Sequence, residues 1–265
     1  MSHQVVVQDV QIAYENKHGS PFVALDRVDL EVDSGEFVTI VGPSGCGKST
    51  LLLAVDGLLK PVRGEILVSG KPVTGPGPDR AMVFQEFALL PWRNVLRNVK
   101  FGMELNGFKG KAATARALEL IHLVGLRGFE DHHPHQLSGG MRQRVGIARA
   151  LAVDPDVLLM DEPFGALDAQ TREIMGSELL KVWEQDRKTV LFVTHGIDEA
   201  IYLADRVLVI SKGPGRVLET LEVDLPRPRT MDVRKSPEYV ALRDRIARLL
   251  FDQADADRRV EGAVG

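Results

Sequence analysis

The chain has 265 residues and a formal net charge of −4, with 37 acidic against 33 basic side chains. That balance supplies no overall attraction to nucleic acid or anionic lipid, and the single cysteine, Cys46, excludes an internal disulfide and fits a reducing compartment. The start, Met1-Ser2-His3-Gln4, lacks the charged-then-apolar pattern of a signal peptide, and no apolar run approaches the roughly 18 residues needed to cross a bilayer, so any work at a membrane is expected to go through a partner.

Residues 5–7 and 10–14 read as a first strand, and residues 28–32 alternate like a half-solvated one, which together predict a small antiparallel sheet. Tyr14 ends the first of these. Its ring is either a platform for a nucleobase or an edge-strand aromatic covering the core. Phe37-Val38-Thr39-Ile40-Val41 is β-branched and aromatic, the pattern of a buried strand. It runs straight into Gly42-Pro43-Ser44-Gly45-Cys46-Gly47-Lys48-Ser49, followed by Thr50 and a helical pattern over residues 51–55. This is the phosphate-binding loop in its required context: glycines let backbone N–H groups face an anion, and the helix N-terminus adds its partial positive charge. Lys48 is expected to reach the β- and γ-phosphates and the Ser49 hydroxyl to ligate Mg²⁺. Cys46 lies inside the loop, so alkylation of its thiol is expected to inhibit and nucleotide to protect.

Residues 65–68 and 81–84 read as two more strands, the second ending at Gln85, a polar residue at a strand tip that can touch Mg²⁺ or an attacking water, or be an ordinary loop glutamine. From Glu86 to residue 151 the pattern becomes helical, with apolar spacing over residues 112–124 and Gly125 as a stop. Within it, Leu89-Leu90-Pro91-Trp92-Arg93-Asn94-Val95 is apolar where a loop is expected, so Trp92 either docks another protein or packs in its own lobe. Asp131-His132-His133-Pro134-His135 invites a metal, but Pro134 interrupts the run and no pattern completes a tetrahedral set. A solvated loop is the better reading.

Leu137-Ser138-Gly139-Gly140-Met141-Arg142-Gln143-Arg144 then opens a helix, with Ser138 as its cap and Gly139 and Gly140 leaving backbone N–H groups open to an anion. Met141 stands where a capping box would have Glu or Gln, which leaves Ser138 able to bond a ligand. Next, Val157-Leu158-Leu159-Met160 is an apolar strand delivering Asp161 and Glu162 to its C-terminal end, where α/β sheets bind ligands. Asp161 is expected to hold Mg²⁺ and Glu162 to act as general base on the attacking water. Gly165-Ala166-Leu167-Asp168 turns into a helix over residues 169–186 whose apolar face is read as Ile174, Met175, Leu179, Val182 and Trp183. Residues 189–194 form another buried strand, and His195 at its end is placed to contact a γ-phosphate, or is structural. A Pro/Arg-rich linker follows from Leu225, then a helix starting at Ser236-Pro237-Glu238 with a stripe of Tyr239, Leu242, Ile246, Leu249 and Phe251, expected to fray past Asp252.

These motifs, in this order, resemble the ATP-binding subunit of ATP-binding cassette (ABC) transporters. The matching residues are Gly42 to Thr50 (Walker A), Gln85 (Q-loop), Leu137 to Gly140 (signature), residues 157–162 (Walker B), Gly165 to Asp168 (D-loop) and His195 (H-loop), and the likeness covers residues 5 to about 220. Met141, where the commonest family form has Gln, resembles the branch serving nitrate, taurine and aliphatic sulfonate uptake. So do residues 89–95 and Leu225-Pro226-Arg227-Pro228-Arg229.

The resemblance implies an α/β fold of the P-loop NTPase class, with a RecA-like parallel-sheet core, a small antiparallel β subdomain and a helical subdomain inserted at about residues 86–151. It places the ATPase domain at residues 1–225 and a linker and helical tail at 226–265. It implies ATP and Mg²⁺ as cofactors, with Tyr14, Gly42 to Thr50, Ser138, Gly139, Gly140 and Asp168 binding nucleotide and Ser49, Gln85 and Asp161 the metal. Glu162, His195, Gln85 and Lys48 are the catalytic set. The implied partners are a second ATP-binding subunit, integral membrane permease subunits and, indirectly, a periplasmic or extracellular solute-binding protein, with no nucleic acid. The implied location is peripheral, on the cytoplasmic face of the bacterial inner membrane. A motor for another small solute, a separate-subunit exporter and a soluble ABC protein outside transport stay open. Repair relatives need a long coiled coil after Gln85 that this chain lacks, and translation relatives usually carry two cassettes.

Overall fold

The computed structural model describes residues 3–15, 19–85, 88–165 and 167–261, with side chains to residue 252. In chain order the elements are β1 (His3–Tyr14), β2 (Phe22–Asp33), β3 (Phe37–Val41), α1 (Lys48–Asp56), β4 (Arg63–Val68), β5 (Lys71–Pro72), β6 (Arg80–Val83), α2 (Val95–Leu105), α3 (Gly110–Leu123), α4 (Gly139–Ala152), β7 (Val157–Asp161), α5 (Ala169–Gln185), β8 (Thr189–Val193), α6 (Ile197–Leu203), β9 (Arg206–Ile210), β10 (Val217–Glu222) and α7 (Pro237–Glu261). The chain divides into two compact units, Met1–Pro76 with Thr189–Gly265, and Gly77–Lys188.

The first unit holds two sheets. One is antiparallel in the order β2-β1-β4-β5, as expected from the alternating pattern of its strands. β1 is a single strand, where the sequence reads as two pieces; the pairing shifts between Val7 and Val10, and Asp9 sits there at φ 47°, the mark of a bulge. In the second sheet β3 lies between β8 and β9, parallel to both, with β10 antiparallel on the outer edge of β9. Every residue of β3 and β8 is buried, which is why neither shows alternation. β9 and β10 were absent from the sequence reading, although Val207-Leu208-Val209-Ile210 carries the apolar signal that reveals β3.

The tail belongs to this unit's core. Tyr239 and Ile246 of α7 are buried with Ala200, Ile201, Val207, Val209 and Leu221, and Leu242 and Leu249 pack against that cluster. Phe251 is 70% exposed, so it leaves the expected stripe, and α7 continues past Asp252 to Glu261.

In the second unit β6 pairs in parallel with the fully buried β7, and α2, α3 and α4 pack on one another. Their contact is built from Val95, Val99 and Met103, from Ala113, Ala117, Leu120 and Ile121, and from Val145, Ile147 and Ala148, all buried. That is apolar spacing of helical period on each. In α5 the buried face holds Met175, Leu179 and Trp183, but Ile174 is 54% exposed, so the stripe is narrower than the sequence pattern suggested. Glu86, the expected start of the helical lobe, and Ala166 in the expected Gly165-to-Asp168 turn lie outside the described residues. Among the described residues no helix is long and apolar enough to cross a membrane.

Candidate functional site

In the first unit the loop between β3 and α1 is shaped by close approach. A Cβ on Gly42 would lie 2.7 Å from Cys46 Sγ and 2.8 Å from the Ile210 carbonyl oxygen. Gly47 stands at φ 98°, and a Cβ there would also meet Leu25 Cδ2 at 2.6 Å and the Ala24 carbonyl at 2.9 Å. Only glycine fits on both counts. Residues 42–47, including Pro43, Ser44 and Gly45, thus wrap tightly in front of α1, whose first turn contains Lys48, Ser49 and Thr50. The first N–H groups of a helix have no intrahelical partner, so this end is suited to an anion.

Lys48 is 4% exposed, and its Nζ donates to the carbonyls of Gly42 (2.8 Å) and Pro43 (2.9 Å). The loop therefore holds the ammonium over itself. Cys46 is fully buried, and burial pushes its thiol pKa up. A buried thiol kept protonated is a poor nucleophile, so the expectation that alkylation of Cys46 inhibits is corrected: position in the loop does not mean access. Tyr14 is 40% exposed, and its hydroxyl lies 3.1 Å from Thr50 Oγ1. The hydroxyl is therefore tied to the first turn of α1, and the ring stands partly in solvent.

His195 lies two residues past the end of β8 and is exposed. Its neighbours are fixed: Thr194, buried, accepts at Oγ1 from the Gly196 N–H (2.9 Å) and donates to the Glu199 carboxylate.

In the second unit β7 ends in Asp161, 7% exposed, and the next residue, Glu162, adopts φ 46°. A left-handed glutamate is strained. The turn is held by the Gly165 N–H donating to the Glu162 carbonyl (3.0 Å), while Gln85 Nε2 donates to Glu162 Oε2 (3.3 Å). The expected polar tip of β6 and the expected carboxylate pair of β7 are thus brought together.

Ser138 caps α4, its Oγ accepting from the Met141 N–H at 3.3 Å. The hydroxyl therefore keeps its own proton to donate, although its acceptor side is engaged, which sequence reasoning had left open. A Cβ on Gly140 would lie 2.7 Å from Leu167 Cδ2, so this helix start abuts the turn before α5. Asp168 caps α5, accepting from the Thr171 N–H (2.9 Å) and hydroxyl (2.6 Å). Those bonds hold its carboxyl below the usual carboxylate range.

Trp92 is 71% exposed, which settles its alternative in favour of a presented side chain. What presents it is Asn98, which sequence reasoning missed. Fully buried, Asn98 accepts from the Leu90 N–H (2.9 Å) and donates to the carbonyls of Leu90 (3.1 Å), Arg93 (2.8 Å) and Asn94 (3.1 Å). The available signal was a polar residue on the same helical face as Val95, Val99 and Met103. Arg149 was missed too; its Nη1 donates to the Ala88 carbonyl at 2.6 Å. The histidine loop buttresses α2, the carbonyls of His132 and Glu130 accepting from Val95 and Leu96 N–H, each at 2.9 Å. Among the described residues no group of three or more His, Cys, Asp or Glu is placed to hold a metal.

Residues 25–165 match the family model described as ABC transporter. An uncharacterized ABC transporter ATP-binding protein of Methanocaldococcus jannaschii is 53% identical over 89% of this chain and 87% of its own length. The taurine import ATP-binding protein TauB of Rhizobium johnstonii is 47% identical over 94% of this chain and 97% of its own. Among solved structures, the dimeric post-hydrolysis state of the ATP-binding cassette MJ0796 bound to ADP and Pi aligns with a TM-score of 0.76. It is 35% identical, over 84% of this chain and 100% of that one.

Proposed function

The chain belongs to the ABC transporter family and is an ATPase of that class, and from that premise we propose that it is the ATP-hydrolysing subunit of an importer for a small anion of the taurine, sulfonate or nitrate type. The observation that carries the reading is a pair of anion-suited helix starts in one chain, α1 behind its glycine loop and α4 behind Ser138. One nucleotide needs one such end. A second, in the other unit, is explained if two copies meet head to tail, each offering Ser138 to Gly140 to the γ-phosphate held by its partner. A cassette related to this chain has been solved as a dimer with ADP and Pi, which supports the arrangement. The similarity to TauB supports the solute class.

The roles follow residue by residue. Gly42 to Gly47 receive the phosphates on backbone N–H groups, and Lys48 exchanges its loop carbonyls for the β- and γ-phosphates. Tyr14, tied to Thr50, offers its ring to the adenine. Ser49, Asp161 and Gln85 provide hard oxygen donors, a set that suits Mg²⁺. When bound, Mg²⁺ neutralises phosphate charge. Glu162 takes the proton of the attacking water, with Gln85 orienting its carboxylate, and His195 contacts the γ-phosphate. Asp168, capping α5, lies at the turn offered to the second copy. Loss of the γ-phosphate then separates the copies, and the motion passes through the segment after Gln85, with Trp92 on its surface, to a permease. That permease is fed by a solute-binding protein, and the chain sits on the cytoplasmic face of the membrane.

The test is Glu162→Gln, which keeps the shape of the site and removes the base. It is expected to bind ATP, to hydrolyse it at under about a hundredth of the parent rate, and to double in mass by light scattering when ATP is added. A variant that stays monomeric and turns over normally removes both Glu162 and the shared site.

A further inference from the structure

α6 is seven residues long and starts two residues after His195. A helix so short draws its order from what it packs on, and here both of its ends are fastened by residues beyond β10. At its C-terminal end the Arg229 guanidinium, 6% exposed, donates to the carbonyls of Ile201 (3.2 Å), Tyr202 (3.1 Å) and Ala204, and to that of Val223 (3.2 Å). Arg227 donates to the Leu203 carbonyl (2.8 Å) and pairs with Asp205 (2.8 Å). At the N-terminal end the hydroxyl of Tyr239, a side chain 1% exposed, shares its proton between the Asp198 carbonyl (3.0 Å) and Oδ1 (2.9 Å). The residue after Asp198 is Glu199, whose carboxylate accepts from the Thr194 hydroxyl, and Thr194 Oγ1 in turn accepts from the Gly196 N–H. His195 lies between Thr194 and Gly196, so the chain of bonds from the tail closes around it.

We infer that Tyr239 is a positioning residue for ATP hydrolysis: through Asp198 and the Glu199–Thr194 bond, α7 fixes the backbone that aims His195. The tail is then part of the motor and acts on the chemical step. The inference rests on the role proposed above for His195, and the experiment separates the two.

ATP turnover is measured for the parent, Tyr239→Phe, His195→Ala and the double variant of the full chain. Tyr239→Phe removes one oxygen from a buried ring. It is expected to lower kcat about fivefold to tenfold with KM for ATP within about twofold, and to add nothing further in the His195→Ala background, because residues acting as a unit are not additive. If the two losses multiply, or Tyr239→Phe turns over at the parent rate while His195→Ala is slowed, the inference is overturned. In ¹³C-histidine-labelled protein the His195 ring signal, identified by its loss in His195→Ala, is expected to move in Tyr239→Phe while those of His3 and His122 stay. An unmoved His195 signal overturns the inference; a moved signal with an undiminished kcat in His195→Ala upholds the positioning and removes His195 from its role. Should Tyr239→Phe fail to fold, Arg229→Lys, which loosens the other end of α6, must give the same pattern.

Discussion

A lysine ammonium that is 4% exposed and bonded to two carbonyls of its own loop is already desolvated, which suits the phosphate-binding role proposed for it. Lys48→Ala is accordingly expected to weaken ATP binding at least about tenfold, or about 1.4 kcal/mol, by calorimetric titration. Asn98 makes the opposite case, a buried amide whose work is structural. Replacing it by Leu strands the Leu90 N–H and removes the amide's bond to the Arg93 carbonyl, while the Leu90 and Asn94 carbonyls keep backbone N–H partners, and the expected cost is about 2–4 kcal/mol in urea unfolding. The placement of Gly42, Gly47 and Lys48 before α1 and of Asp161 and Glu162 at the end of β7 was legible, because a glycine-rich turn and an apolar strand ending in carboxylates leave fixed spacings in the chain. Asn98 and Arg149 were not, since a hydrogen bond to a distant carbonyl leaves no spacing in the chain. Cys46 shows the converse limit: its place in the loop was plain, but its inaccessibility depends on packing, with Gly42 close against its Sγ and Lys48 Nζ 3.9 Å away.

At the scale of elements, α7 carries a testable pH dependence. Burial first, and then the Asp198 carboxylate, hold the Tyr239 hydroxyl well above the ordinary value of 10.0. Because the folded value is raised, its contribution to stability is whole below the ordinary value and is lost as pH climbs beyond it. Comparing urea unfolding at about pH 8 and about pH 11, the parent is expected to lose more stability than Tyr239→Phe; equal losses would mean the phenol is not buried in solution. The buried strands β3, β7 and β8 were legible as unbroken apolar runs. The outward turn of Ile174 and Phe251 was not, because periodicity gives a helix its apolar direction but not the width its neighbours will cover.

At the scale of the molecule, the proposed head-to-tail pairing of the two helix starts predicts that turnover per chain rises with protein concentration. It also predicts that Gly139→Asp, which sets a carboxylate at the start of α4, keeps ATP affinity within about twofold and lowers kcat at least about a hundredfold, by turnover assay alongside calorimetry. In the sequence the basis for the proposed pairing is a surplus, a second anion-suited helix start in one chain. The two tryptophans lend the whole assembly an optical readout. Trp183 is 3% exposed, its indole N–H bonded to the Lys188 carbonyl at 2.7 Å, whereas Trp92 stands 71% in solvent. Their emission is therefore expected to divide into a blue component from Trp183 and a red one from Trp92, so that under the proposed docking a permease added to the unlabelled chain shifts the red component alone, with Trp183 as the internal standard.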